Sequence, residues 1–364
     1  MTRALSVLVA CGLALAAPAP AQAQERSRPG AGSVLDVASL DRAAALRIRA
    51  EARARLADAA APSRGGDPAD VLLEEAIARY EAVSTVFPDD ASVWLELGIA
   101  LARFERQDAD GRHVERIDDA IRALERARAL SPDAAEIIVA SELAALRAHR
   151  QDFAGAAAEW QRVWDARESV APIAEAQSLL LPLAQREATL HELLGASSLD
   201  AATVHGNWAE MRMLAGDAAG AVEQYRFAVG AARVGSRAVA LGLWGLALAS
   251  ERAGAHEEAL ESALSAMDAD HARRSAHGAS TENDFAALHE EGVFFEPACE
   301  IHAYEALGHE ALATRASTDE GRAVEWARAL RSTRYFLAEG GRSSIYADAA
   351  RDAEARLAAL LGRE

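Results

Sequence analysis

The sequence predicts an all-α protein built from tandem helix-turn-helix units. Hydrophobic residues make up 51% of the chain and aromatic residues only 5%, so small apolar side chains, mainly alanine, must carry much of the packing. Alanine has the highest helix propensity of all residues. One pattern also recurs along the chain, because Gly216 and Gly254 are 38 residues apart, as are Ala221 and Ala259. This recurrence indicates two copies of one helical unit, with Gly216 and Gly254 in the left-handed turn between its two helices.

The clearest repeat pattern lies in residues 76–132. Apolar, small and proline residues recur there at helical spacing: Ala76, Tyr80, Val83, Pro88, then Trp94, Leu97, Gly98, Leu101, then Ala120, Leu124, Ala127 and Pro132. The middle group reads W-x2-L-G-x2-L, and the outer groups follow the A-x3-F and P positions of a unit of about 34 residues. The chain resembles the tetratricopeptide repeat (TPR) family. The resemblance implies a right-handed superhelical solenoid, in which each repeat packs against its neighbours.

The pattern predicts about six repeats between residues 37 and 362. The helices expected from it are 40–60 and 71–86, 94–104 and 117–130, 136–147 and one from Phe153, two pairs around Trp208 and Trp244, and 297–307 and one within 319–339. Gly308 is expected to close the penultimate of these, and 344–361 is expected to form a C-terminal capping helix. Residues 105–116 are predicted to be a solvated loop, with a contact loop as the alternative. Residues 169–198 break the period and are interpreted as an atypical helical pair.

The N-terminus is typical of an export signal. Arg3 precedes an apolar run over residues 4–17, and residues 21–23 give an A-x-A cleavage site, which predicts a signal peptide at 1–23 and a disordered leader at 24–36. The alternative is a lipoprotein, because Leu8 to Cys11 resembles a lipidation box. The mature chain is expected in the periplasm or cell envelope, with a membrane contact only if Cys11 is lipidated. Ordinary cleavage would leave Cys299 without a disulfide partner.

Charge and composition exclude several classes of function. The net charge of −18 argues against nucleic acid as a partner. All 38 basic residues are arginine, which excludes P-loop, Schiff-base and pyridoxal chemistry that requires lysine. No catalytic motif is recognised, so we expect no enzymatic activity, no catalytic residues and no cofactor.

One metal site remains as an alternative. Cys299 and His302 are three residues apart on an expected helix, and His289 or His309 would join them in a zinc site. No second ligand pair completes the pattern. The sequence therefore favours a buried thiol and no metal, with a metal-binding protein or enzyme kept as the second alternative.

The TPR resemblance implies that one face of each first helix lines a concave groove. On matching positions it implies these partner-binding residues: Leu95, Ile99, Arg103, His149, Glu210, Met213, Trp244, Leu248, Arg252, His302 and Glu305. Trp244 is predicted to face the groove beside Arg252, and the alternative is that Trp244 packs against a neighbouring helix. The predicted function is a non-enzymatic scaffold of the cell envelope that holds a protein or peptide. The first alternative is a lipidated component of an outer-membrane assembly or secretion machine.

Overall fold

The computed structural model describes residues 40–60, 68–108, 111–132, 136–168, 200–290, 293, 295 and 297–362. These residues form two compact units, an N-terminal unit up to residue 168 and a C-terminal unit from residue 200. The predicted signal peptide, the leader and the helical pair at 169–198 lie outside the described residues. Within the described ranges, no helix combines the length and apolar character needed to cross a membrane.

The N-terminal unit consists of three consecutive helical hairpins. They are α1 (Arg42–Ala60) with α2 (Ala69–Val86), α3 (Ala91–Ala102) with α4 (Ile117–Leu130), and α5 (Glu136–His149) with α6 (Phe153–Glu168). The helices of each hairpin pack against each other, and successive hairpins pack through α2 on α3 and α4 on α5. The α4 helix has the predicted bounds, and the Asp90 side chain caps α3 by accepting from the Ser92 amide.

The insertion between α3 and α4 is a β-hairpin rather than the predicted solvated loop. Strands β1 (Glu105–Asp108) and β2 (Gly111–Val114) are antiparallel, and Glu105 pairs with Val114. Val114 is buried in the core of the N-terminal unit. The insertion is therefore fixed to the repeat at its base.

The C-terminal unit also consists of three hairpins, followed by a final helix. They are α7 (Ala201–Leu214) with α8 (Ala218–Ala231), α9 (Arg237–Arg252) with α10 (His256–Ala276), and α11 (Glu300–Arg315) with α12 (Asp319–Ala338), then α13 (Ala347–Leu361). A short 3-10 helix, Ala286–His289, lies between α10 and α11, and a second one, Gly341–Ser343, precedes α13. The first helices of successive hairpins touch, because α9 contacts both α7 and α11, and α13 packs along α12. The predicted all-α fold of tandem hairpins with a C-terminal capping helix is confirmed.

Equivalent turns between hairpin helices use the same backbone conformation. Gly216 and Gly254, predicted to adopt left-handed conformations, have φ angles of 90° and 82°. Gln151 occupies the same place between α5 and α6 with φ 60°, although it carries a side chain. The turn geometry is therefore retained where glycine is replaced, at the strain that L-residues carry in this region.

Gly308 does not end a helix as predicted but lies inside α11. A Cβ atom at this position would be 2.3 Å from Cε1 of Phe285 and 2.8 Å from Cη2 of Trp244. Glycine is needed there because two aromatic rings approach the helix backbone. Gly216 and Gly254 have positive φ angles at helix ends, whereas Gly308 does not.

We expect Gly308→Ala to lower the free energy of unfolding by about 1–3 kcal/mol, because the added methyl overpacks the site. Gly230→Ala in α8 is the matched control, since a Cβ there meets no atom within 4 Å. The control should raise the free energy of unfolding by roughly 0.5–1 kcal/mol, the ordinary gain from replacing a helical glycine. Urea unfolding of both variants measures the difference, and equal stabilisation by both would contradict the packing role of Gly308.

Candidate partner-binding surface

The predicted partner-binding residues do not form one open groove. Six of the eleven are buried: Leu95, Ile99, Glu210, Met213, Trp244 and Leu248. The side chains of Arg103 and Arg252 are only 14% and 4% exposed. His302 and Glu305 are partly exposed, and His149 is exposed.

In the N-terminal unit the predicted positions are used for packing between hairpins. Leu95 and Ile99 of α3 belong to one apolar cluster with Val139 and Leu143 of α5. Because α3 contacts α5, these side chains have no free surface to offer a partner. Their assignment to a groove is corrected accordingly.

Arg103 is held by a buried carboxylate rather than presented to a partner. Its two terminal nitrogens donate to both oxygens of Glu142 at 2.8 and 2.6 Å. In the same unit Glu96 accepts from Arg49 and Arg53, each at 2.6 Å for its shortest contact. These planar, two-pronged pairs neutralise carboxylates that would be costly to bury alone.

The prediction that Trp244 faces an open groove is wrong. Its side chain is 1% exposed, it stacks on Phe285 with ring centroids 5.9 Å apart, and it meets Tyr304 edge-on at 6.5 Å. The segment leading into the first 3-10 helix folds over α9 and covers this face, with Leu288 in the same apolar cluster. Leu248 is buried in that cluster too, so the packing alternative holds for both residues.

Arg252 is the last residue of α9, and it forms an ion pair with Glu300, the first residue of α11. A cation at a helix C-terminus and an anion at a helix N-terminus are both favoured by the helix dipoles. The Arg252 guanidinium also lies over the ring of Tyr346, 4.0 Å from its centroid. The pair is thus enclosed by an aromatic ring.

Tyr346 lies at the ends of α7, α9 and α11, which are the first helices of the three hairpins. Its hydroxyl donates a hydrogen bond to the carbonyl of Met213 near the end of α7. That carbonyl is among those a helix end leaves without an i+4 partner. Burial raises the pKa of Tyr346, and the nearby Arg252 charge opposes the shift. We call Met213, Arg252, Glu300 and the ring they hold the Tyr346 site.

A second contact lies further along α13. Arg356 donates to both oxygens of Glu310 at 2.9 and 2.8 Å and approaches Glu251 at 3.5 Å. Burial raises the pKa of Glu310. His256 lies 2.6 Å from Glu251 through Nδ1, and this hydrogen bond raises the pKa of His256. Glu251 and Glu310 are therefore contacted by one arginine, Arg356, and one histidine, His256.

The alternative metal site is not formed. Cys299 is buried against Phe336 and Leu337, where burial raises the pKa of its thiol. His302 lies between Glu305 and Glu339, at 3.0 and 3.2 Å. The part of the chain that the structure describes contains no group of three or more His, Cys, Asp or Glu residues placed to hold a metal ion.

Three residues of this surface were not predicted: Glu300, Tyr346 and Arg356. Glu251 matches a position that the TPR resemblance places on the concave face, as does Arg252. One sequence signal was present for Tyr346, since a tyrosine at the head of an alanine-rich helix carries a hydroxyl that needs a partner when buried. The contacts of Glu300 and Arg356 join helices that are far apart in sequence, and spacing within a helix does not report such contacts.

Glu210 is buried beneath this surface rather than exposed. The Tyr225 hydroxyl donates to it at 2.6 Å. Burial raises the pKa of Glu210 from 4.5 to about 7, and the Tyr225 hydrogen bond only partly opposes the rise. The folded protein therefore keeps a proton that the unfolded chain loses above its own pKa, so Glu210 reduces stability as the pH rises from about 4.5 to about 7.

We expect Glu210→Gln to stabilise the protein at about pH 8 by up to about 3 kcal/mol relative to its effect at about pH 5. Glutamine keeps the acceptor for Tyr225 but cannot ionise. Urea unfolding at the two pH values measures this difference. A pH-independent effect of the substitution would contradict the assignment.

Glu142→Gln is the contrasting control for this measurement. It leaves the Arg103 charge buried without its carboxylate. Breaking such a pair costs about 3–5 kcal/mol. At about pH 8 the two substitutions should therefore change the free energy of unfolding in opposite directions.

Comparisons with known proteins identify no family for the chain. No family model matches the chain, and no curated protein matches it. Among solved structures, the TPR2AB domain of yeast Sti1 in complex with an Hsp90 peptide is similar at 12% identity and a TM-score of 0.25, covering 87% of this chain and 99% of that one. A structure of Naa15/Naa10 bound to HypK is similar at 15% identity and a TM-score of 0.24, covering 88% of this chain, and this chain spans 61% of the matched one. The helical hairpins and their glycine turns make this a TPR-like repeat protein.

Proposed function

We propose that the protein is an exported, non-enzymatic scaffold that binds another protein through the C-terminal unit. One observation carries this proposal. The ends of α7, α9 and α11 form the Tyr346 site, and that site holds an aromatic side chain from a separate helical segment. A surface that holds an aromatic anchor beside a desolvated arginine has the chemistry of a protein-binding hot spot.

Surface charge favours a basic partner. The chain carries a net charge of −18, and Glu251 and Glu310 lie together at one side of the surface. Complementary charge speeds association and discriminates against acidic competitors.

Export is part of the proposal and depends on residues 1–23. Cleavage after Ala23 would release a soluble periplasmic protein, whereas lipidation of Cys11 would anchor it to the envelope as part of an assembly or secretion machine. We expect intact-mass measurement of the purified mature chain to give an N-terminus at Gln24. A lipid-modified Cys11 would instead favour the anchored alternative.

Site-specific photo-crosslinking in the native host tests partner binding. A photoreactive residue at Ala215, which is exposed at the end of α7 two residues after Met213, should give one discrete protein adduct. The same residue at Val234, which is 94% exposed on the loop after α8, is the matched control and should not give that adduct. The same adduct from both positions, or no adduct at Ala215, would overturn the proposal.

A further inference from the structure

We infer that the Tyr346 site and the adjoining Glu251–Glu310 carboxylates bind an amphipathic helix of the partner, and that α13 is an intramolecular occupant which this helix replaces. The inference rests on the proposed function and deepens it, because it names the kind of segment that the surface holds. It assigns α13 a second role besides capping the last hairpin.

The helix α13 buries few of its 15 residues. Only Ala347 and Leu357 are buried, while Asp348 and Arg351 on the opposite face are exposed. An isolated helix of this length is marginal in water, so α13 depends on its docking contacts for its structure. It packs along α12, where Leu357 lies with Ala329 and Leu330, so a competitor must replace this apolar contact as well as the polar ones.

The chain before α13 allows it to detach. Gly340 has a φ angle of 138°, which side-chain-bearing residues rarely adopt, and it lies at the end of α12 next to Gly341. Residues that permit large backbone changes at the end of an element act as hinges. Detachment at Gly340 would also uncover the face of α12 that packs with Leu357.

The contacts of α13 specify the helix that could replace it. An aromatic residue with a hydroxyl is needed over Arg252 to reach the Met213 carbonyl. An arginine is needed ten residues later to reach Glu310 and Glu251, which is about 15 Å along a helix. The partner segment is therefore an amphipathic helix with an aromatic residue near its start, an arginine ten residues later and an apolar face for α12.

If α13 detached and no other helix replaced it, the surface would carry unbalanced charge. Without Arg356, the carboxylates of Glu251 and Glu310 would face His256 as their remaining cationic neighbour at 2.6 and 3.9 Å. Without Tyr346, the Arg252–Glu300 pair would lose its aromatic cover. Exchange of one occupant for another avoids both costs.

A labelled peptide that copies residues 344–361, added to the full mature chain, tests the inference by fluorescence anisotropy. The double variant Tyr346→Ala/Arg356→Ala weakens the docking of its own α13, so it should bind the peptide at least about 10-fold more tightly than wild type. The variant Arg356→Gln, in which one half-exposed side chain changes, should bind about 3-fold more tightly. If neither variant binds more tightly than wild type, the inference is overturned.

Matched controls separate docking from general effects. Arg351→Ala in the protein should leave peptide affinity at the wild-type value, because Arg351 pairs with the exposed Asp348 of the same helix. A peptide with alanine in place of both Tyr346 and Arg356 should bind the double variant at least about 10-fold more weakly than the unmodified peptide. Equal binding of both peptides would mean that the site does not recognise these side chains, which overturns the inference.

Hydrogen exchange on wild-type protein tests the same point without substitutions. Amides of α13 should exchange through a local opening that leaves α12 protected. Exchange of α13 only together with α12 would show that it does not detach, and this overturns the inference.

A concentration-dependent dimer of the double variant, seen by light scattering, would assign the surface to a second copy of this chain and overturn the assignment to a partner. Failure of these experiments leaves a partner crosslinked at Ala215 intact. Failure of crosslinking with successful peptide binding would instead reject the proposed partner and leave only the detachment of α13.

Discussion

The C-terminal unit depends on the ion pair between Arg252 and Glu300. The pair joins the last residue of α9 to the first residue of α11, and both side chains are almost fully removed from water. Burying two charges is costly, and only close pairing and helix-end placement offset that cost. The pair therefore tolerates little displacement of one hairpin against the next. Tyr346 can pack on a fixed guanidinium because of this constraint.

The N-terminal unit uses the same chemistry between its hairpins. Glu96 and Glu142 are both almost fully buried, and each is bound by arginine side chains from a different hairpin. A guanidinium suits these sites because its planar donors match both oxygens of a carboxylate, whereas an ammonium presents a point charge. The absence of lysine from the sequence, first noted as an exclusion of enzyme chemistry, thus agrees with how the repeats are joined.

Helical spacing predicted the hairpins because the apolar face of each helix is a local property. The bounds of α4 were predicted to the residue, and Gly216 and Gly254 were correctly placed in left-handed turns. Helical spacing also identified the face of α9 that does not pack within its own hairpin. It did not show that Phe285 covers that face, because the contact joins segments about 40 residues apart, and so Trp244 was misplaced.

Two further differences have separate causes. Gly308 has the residue type that ends a helix, but the aromatic neighbours that require a glycine there come from elsewhere in the chain. The β-hairpin after α3 was not predicted because its four-residue strands, ERQD and GRHV, do not alternate apolar and polar residues. Apart from this insertion, features set by contacts within one hairpin were predictable, and features set by contacts between hairpins were not.

The small number of buried residues in α13 favours exchange with a partner. A segment tethered by a short linker experiences an effective concentration of about 1 mM at its own site. A partner present at about 1 μM would have to bind roughly 1000-fold more tightly than α13, a difference of about 4 kcal/mol, to occupy half of the sites. If α13 were firmly packed, the required affinity would exceed what an ordinary partner helix can reach. With two buried residues, one aromatic anchor and one half-exposed arginine, α13 can cover the surface and still be replaced.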